Sequence, residues 1–75
     1  MRELSSLGAV LQVRVRQERQ RRGWTQRQLS ERSGVPQPTI SRIEAGVRKL
    51  DLEALERIAT AFGVPPLRLL RHVKD

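Results

Sequence analysis

The sequence has 75 residues, which allows one small domain with a modest core. Fifteen Lys and Arg residues face eight Asp and Glu residues, and the formal charge of +7 favours a polyanionic partner, the alternative being a solvated arginine-rich surface. The lack of cysteine excludes disulfides, and no apolar run suits a membrane span or a signal peptide, so we expect a cytoplasmic protein.

Glycines and prolines divide the chain into five segments with helical periodicity. The first covers about residues 6–22, with Ser5 or Ser6 as its N-cap and Gly23 at its C-terminal end. Residues 11–16 also alternate as a strand does, but the length of the segment and the charged run after it favour a helix. The expected buried stripe has a four-residue spacing: Leu7, Leu11 and Val15.

The second segment covers about residues 26–32 and begins with a capping box. The Thr25 hydroxyl is placed to accept from one N–H at the start of the helix, and the Gln28 side chain is placed to bond back to another. Gly34 then permits a tight turn with positive φ. Two short helices joined by such a turn are the elements of a helix-turn-helix.

The third segment, about residues 37–45, separates two kinds of side chain at 100° per residue. Pro36 and Pro38 fall where a helix start leaves N–H groups unpaired, so neither excludes the helix. Ile40 and Ile43 point to one side, with Glu44 near them. The opposite side has no acidic residue, as a helix that approaches phosphates requires, and consists of Gln37, Pro38, Thr39, Ser41 and Arg42.

The last two segments complete an all-helical chain. The fourth begins after Asp51 as N-cap, ends at Gly63 and has an apolar face of Leu52, Leu55, Ile58, Ala59 and Phe62. The fifth begins at Pro65 and Pro66, which are favourable at a helix start. Its periodicity allows one stripe to face the core while another forms a second surface: Leu67 and Leu70 for the first, Leu69 and Val73 for the second.

The order and spacing of these residues resemble the phage-repressor (Cro and Xre-like) helix-turn-helix family. The resemblance lies in Trp24-Thr25-Gln26, in Ile40-Ser41-x-Ile43-Glu44 and in Ala61-Phe62-Gly63-Val64. It implies an all-α, compact five-helix bundle of the lambda-repressor-like DNA-binding type. The domain would cover residues 11–70, with the recognition helix at about 37–45, an N-terminal extension at 1–10 and a C-terminal tail at 71–75.

The resemblance also implies which residues contact DNA. Gln37 and Arg42 correspond to base-reading positions, since Gln pairs with adenine and Arg with guanine. Pro38 departs from the polar residues usual at its position and can offer only an apolar contact, for example to a thymine methyl group. The alternative for Arg42 is a phosphate contact, and for the others an ordinary surface role. Backbone contacts are implied for Gln26, Arg27, Thr39, Ser41, Arg48 and Lys49.

Other matching residues are interpreted as structural. Arg19 and Glu44 correspond to a pair that often forms an interior salt bridge in this family, and Trp24 is interpreted as core packing below the turn. Glu18 departs from the family because it lies on the inward stripe of the first helix, at the core edge or paired with a neighbouring arginine. His72 is the only histidine, so no metal site is expected.

The function implied is transcriptional regulation, as a repressor that binds a palindromic operator as a homodimer. The candidate dimer residues are Leu69, Val73, Val10 and Val13, the alternative being ordinary exposed apolar side chains. An antitoxin that binds a toxin and represses its own operon is the second hypothesis. No catalytic residue, cofactor or small-molecule ligand is indicated, so an enzyme is not expected.

Overall fold

In the residues that a computed structural model describes, the protein has four α-helices followed by one short 3₁₀ helix. The backbone is described for residues 2–46 and 51–71, and side chains within these ranges from residue 7 onward. The elements are α1 (Arg2–Arg21), α2 (Gln26–Ser33), α3 (Gln37–Gly46), α4 (Leu52–Phe62) and the 3₁₀ helix (Pro66–Leu70). No strand occurs in the described ranges, which confirms the all-helical prediction but not the count of five α-helices.

Helix α1 begins earlier than its sequence predicts. Ser5 and Ser6, the expected N-caps, lie within the helix, which begins at Arg2. A serine is compatible with a helix interior when the turns before it are also helical, so the capping signal did not mark the boundary here. Val10 is also buried, at 7% exposure. The proposal of Val10 as a dimer residue is therefore wrong.

The boundaries of α2 follow the local sequence closely. The amide N–H of Gln28 donates to the Thr25 hydroxyl at 3.0 Å, and the Thr25 N–H donates to the Gln28 side chain at 2.8 Å. The predicted capping box is thus confirmed. At the other end, Gly34 has φ +77°, and its N–H donates to the Ser30 carbonyl at 2.9 Å. This left-handed residue turns the chain sharply between α2 and α3.

The core lies between the helices and is closed at one side by the 3₁₀ helix. Helix α3 packs against α1 and α2, while α4 packs against α2 and the 3₁₀ helix. Burial of each apolar stripe is the main stabilising term for a domain of this size. The buried apolar cluster contains Leu11, Val15, Leu29, Val35, Ile40, Ile43, Ala54, Leu55, Ile58, Ala59, Phe62 and Leu69.

The C-terminal segment reverses the predicted faces. Leu69 is fully buried, whereas Leu67 is 69% exposed and Leu70 is half-buried. Periodicity separates Leu67 and Leu70 from Leu69, but it does not say which side meets the core, and Pro65 and Pro66 set the direction from which the segment arrives. Leu69 is therefore wrong as a dimer residue, because it has no surface to offer a partner.

Candidate nucleic-acid interface

The outward face of α3 is polar and free of acidic side chains. Gln37, Pro38, Ser41 and Arg42 are exposed, and Thr39 is half-buried beside them. The inward face has Ile40 at 0% and Ile43 at 4% exposure, as their spacing predicts. The outward face therefore projects from a helix whose other side is fixed in the core, which is the arrangement that a rigid groove-binding helix needs.

The first turns of α2 and α3 lack negative side chains. The Thr39 and Ile40 N–H groups bond to the Pro36 carbonyl at 2.9 and 3.2 Å, so Pro36 occupies the N-cap position without a side-chain cap. Helix N-termini favour negative groups, because their N–H dipoles point outward.

A buried ion pair fixes α3 to the rest of the fold. Arg19 Nε donates to Glu44 Oε2 at 2.7 Å, and the second arginine nitrogen, NH2, donates to Glu44 Oε1 at 2.9 Å. The remaining nitrogen, NH1, donates to the Trp24 carbonyl at 2.8 Å. The Arg19 and Glu44 side chains are 14% and 3% exposed, so this two-pronged pair lies below the outward face and not on it.

The glutamate of this pair is held ionised by its surroundings. Burial raises the pKa of Glu44, but hydrogen bonds from Arg19 and Gln26 and the positive charges of Arg19 and Arg16 outweigh it, so the pKa lies below the ordinary 4.5. Arg16 also donates to the Glu44 main-chain carbonyl at 2.9 Å. The contact of Arg16 with Glu44 was not predicted from the sequence, although the three-residue spacing of Arg16 and Arg19 places both on one face of α1.

The predicted backbone-contacting residues of α2 lie at its start. Gln26 is half-buried, and its side-chain Nε2 donates to Glu44 Oε1 at 3.2 Å. Arg27 is exposed, with its Nε 3.4 Å from Glu31 Oε2. Gln26 thus reaches the ion pair of α3, whereas Arg27 extends into solvent.

Trp24 belongs to the scaffold. Its ring stacks on Phe62 with 5.8 Å between centroids. The guanidinium of Arg32 lies 4.5 Å from the Trp24 ring centre, and that of Arg22 lies 4.7 Å from the Phe62 ring centre. These cation–π contacts occupy the aromatic surface, so Trp24 does not offer a free face for stacking on a base.

Glu18 forms a second buried charge cluster within the scaffold. It is 1% exposed and accepts from Arg22 NH1 at 2.6 Å. Arg22 NH2 also donates to the Phe62 carbonyl at 2.7 Å, which joins the residue directly after α1 to the end of α4. Burial raises the pKa of Glu18, but the Arg22 hydrogen bond and the nearby arginine charges bring it below 4.5. Pairing of Glu18 with a neighbouring arginine, one of the two alternatives from the sequence, is thus confirmed, and its four-residue spacing from Arg22 is the local signal for it.

The base-reading candidates Gln37, Pro38 and Arg42 are all exposed on α3. The Arg42 Nε lies 3.5 Å from the Pro38 carbonyl, so its side chain extends towards the start of α3. Of the dimer candidates, Val13 is 46% exposed on α1. Four residues named from the sequence lie outside the described ranges: Arg48, Lys49, His72 and Val73.

Comparison with known proteins places the chain in a family. Residues 15–69 match the helix-turn-helix family. Two uncharacterised HTH-type transcriptional regulators of Mycobacterium tuberculosis, from strains CDC 1551 / Oshkosh and H37Rv, are each 42% identical over 50 residues, which are 67% of this chain. The chain covers 36% of the length of either relative. No solved structure matches it significantly.

The fold and the acid-free face define a helix-turn-helix domain. The protein belongs to the helix-turn-helix family of the Cro and Xre-like type, which confirms the resemblance in its sequence. This is a family of DNA-binding regulators. In the part of the chain that the structure describes, no helix has the length and apolar character of a membrane span.

Proposed function

We propose that the protein binds double-stranded DNA sequence-specifically, with α3 in the major groove. The observation that carries this proposal is the exposed outward face of α3, which has no acidic side chain. The opposite side of the helix is held in the core by Ile40 and Ile43 and bonded to α1 by the Arg19–Glu44 pair. The major groove accommodates one α-helix and presents a different pattern of donors and acceptors for each base pair.

Three residues of this face are assigned to the bases. Gln37, in the first turn, has an amide that can bond both to N6 and to N7 of adenine. Arg42, one turn later, has a guanidinium that can bond both to O6 and to N7 of guanine. Pro38 lies between them and contributes an apolar contact that suits a thymine methyl group. Each two-bond contact discriminates against other bases by about 1–3 kcal/mol.

Flanking residues are assigned to the phosphates and set the position of α3 without reading sequence. Gln26 lies at the start of α2, and Thr39 and Ser41 border the base-reading residues. The net charge of +7 supports this assignment, since each phosphate neutralised releases counterions. The assigned group also includes residues at the exposed start of α2 and after α3: Arg27, Arg48 and Lys49.

A homodimer on a palindromic operator, acting as a repressor, is the form in which we propose that the protein works. One domain contacts too few base pairs for specificity against a genome, whereas a two-fold dimer places two recognition helices about 34 Å apart. Val13 and Val73 remain the dimer candidates, and the exposed Leu67 joins them. The second hypothesis, an antitoxin, has no observation in its favour.

Selection from random duplexes tests this proposal. We expect one enriched motif with two-fold symmetry and half-sites one helical turn apart. Affinity for that motif should fall with salt by about 0.9 log units per log unit of salt for each phosphate neutralised. A flat response to salt, or bound duplexes no different from the starting pool, would contradict the proposal.

A further inference from the structure

The Glu44 carboxylate joins three helices at one point. It lies on α3 and accepts two hydrogen bonds from Arg19 of α1, at 2.7 and 2.9 Å. Its Oε1 also accepts from Gln26 Nε2 of α2 at 3.2 Å, and Arg16 Nε of α1 lies 3.8 Å from the same oxygen. The family ion pair accounts for the contacts to α1, but it does not account for the contact to Gln26.

The contact to Gln26 fixes which end of the amide faces inward. An ionised carboxylate accepts hydrogen bonds and cannot donate one, so the NH₂ end of Gln26 must face Glu44 and the amide oxygen must turn away. The carboxylate remains ionised because Arg19 and Arg16 surround it. The NH₂ group has a second N–H, whose direction is determined once the first is bonded to Glu44.

We propose that Glu44 is a positioning residue for DNA binding, which orients the Gln26 amide so that an N–H meets the phosphate backbone. This inference rests on the proposed function. A phosphate oxygen only accepts, so Gln26 can bond to it only through its second N–H, which the bond to Glu44 holds in a fixed direction and which then requires no reorganisation on binding. The charge of Glu44 does not oppose the phosphate, because Arg19 neutralises it at hydrogen-bond distance.

The consequence is a connection between phosphate contact and base reading. Glu44 lies on the same helix as Gln37 and Arg42, and Gln26 lies at the start of α2. A phosphate bound by Gln26 is therefore held at a fixed position relative to the base-reading face. The register of the protein on the duplex would then depend on one buried carboxylate.

A double-mutant cycle tests the inference, using affinity for the selected duplex as the readout. Gln26→Met removes the donor at similar size and should weaken binding about tenfold, as expected for one hydrogen bond to a charged group. Glu44→Gln can both donate and accept, so it releases the orientation of Gln26 and should cost a similar factor. In the Gln26→Met background the same Glu44→Gln change should cost less than about twofold.

The alternatives predict different results. If Glu44 acted only through charge, Glu44→Gln would strengthen binding, because it removes a negative charge. If its role were only structural, the loss would be equal with Gln26 or Met at position 26. Glu31→Gln is the matched control, since it removes the same charge from an exposed site on α2 and should leave affinity unchanged or slightly raised. Stronger binding by Glu44→Gln, or an equal loss in the Gln26 and Met backgrounds, overturns the inference.

The test separates this inference from the proposed function. If the unaltered protein selects no duplex, both fail. If it binds selectively and the two losses add, only the positioning role fails. Should Glu44→Gln not fold, NMR of the unaltered protein replaces it. The Gln26 side-chain amide signals should then shift together with the Glu44 carboxyl signal as acid is added. In the described ranges, the other charged groups bonded to Glu44 are Arg16 and Arg19. Independent shifts would overturn the inference.

Discussion

Replacement of Arg19 by methionine should severely destabilise the fold. Arg19→Met removes two hydrogen bonds to Glu44 and one to the Trp24 carbonyl. Among the described residues, Glu44, at 2% exposure, then keeps the Gln26 amide at 3.2 Å and Arg16 Nε at 3.8 Å. Breaking one partner of a buried ion pair costs about 3–5 kcal/mol, and the two remaining contacts place this case near the lower end.

That loss is large for a chain of 75 residues. Domains have about 0.05–0.15 kcal/mol of stability per residue, which amounts to about 4–11 kcal/mol here. Urea unfolding followed by Trp24 fluorescence and far-UV circular dichroism measures the change. The matched control is Arg27→Met, because Arg27 is 79% exposed and its pair with Glu31 should contribute less than about 1 kcal/mol.

A second variant separates loss of the pair from loss of packing. Arg19→Met with Glu44→Leu removes both charges and should recover most of the stability, since the penalty arises from an unpaired buried carboxylate. A loss below about 1 kcal/mol for Arg19→Met alone, or a double variant no more stable than the single one, would refute the reasoning.

Three further predictions concern pH, the helix cap and the phosphate contacts. Glu18 and Glu44 have pKa values below 4.5 when folded, so their contribution is complete above 4.5 and is lost as the pH falls through the folded values. The urea concentration at which half of the protein is unfolded should therefore decrease as the pH is lowered below 4.5. A urea midpoint that stays constant below pH 4.5 would contradict this prediction. Thr25→Ala should cost about 1 kcal/mol in the same assay, with Thr25→Ser nearly neutral. Arg48→Ala should reduce the salt dependence of DNA binding by about 0.9 log units per log unit of salt and weaken all sequences alike; an unchanged slope would remove Arg48 from the phosphate contacts.

Features determined by neighbouring residues could be predicted from the sequence. The capping box of Thr25 and Gln28 and the Asp51 cap, which accepts from the Ala54 N–H at 3.1 Å, depend on contacts within three residues. The inward direction of Ile40 and Ile43 follows from helical spacing alone. The outward face of α3 was therefore predictable, because it lies opposite the apolar side that packs into the core.

Features that depend on packing between distant elements could not be predicted in this way. Leu69 is buried in the shared core because the 3₁₀ helix packs against α1 and α4, and the spacing of its own stripe does not indicate those partners. The contact of Gln26 with Glu44 joins residues 18 positions apart and depends on the angle between α2 and α3. Both are results of tertiary structure, which local periodicity does not contain.

We propose above that α3 reads bases through Gln37 and Arg42. The most direct test of this proposal is selection from random duplexes with the unaltered protein and with Gln37→Ala and Arg42→Ala, using Gln20→Ala and Arg71→Ala as exposed controls outside the helix-turn-helix. Each α3 variant should lose preference at its own base pair, adenine for Gln37 and guanine for Arg42, while both controls should keep the full motif. An unchanged motif from both α3 variants would contradict base reading by these two residues.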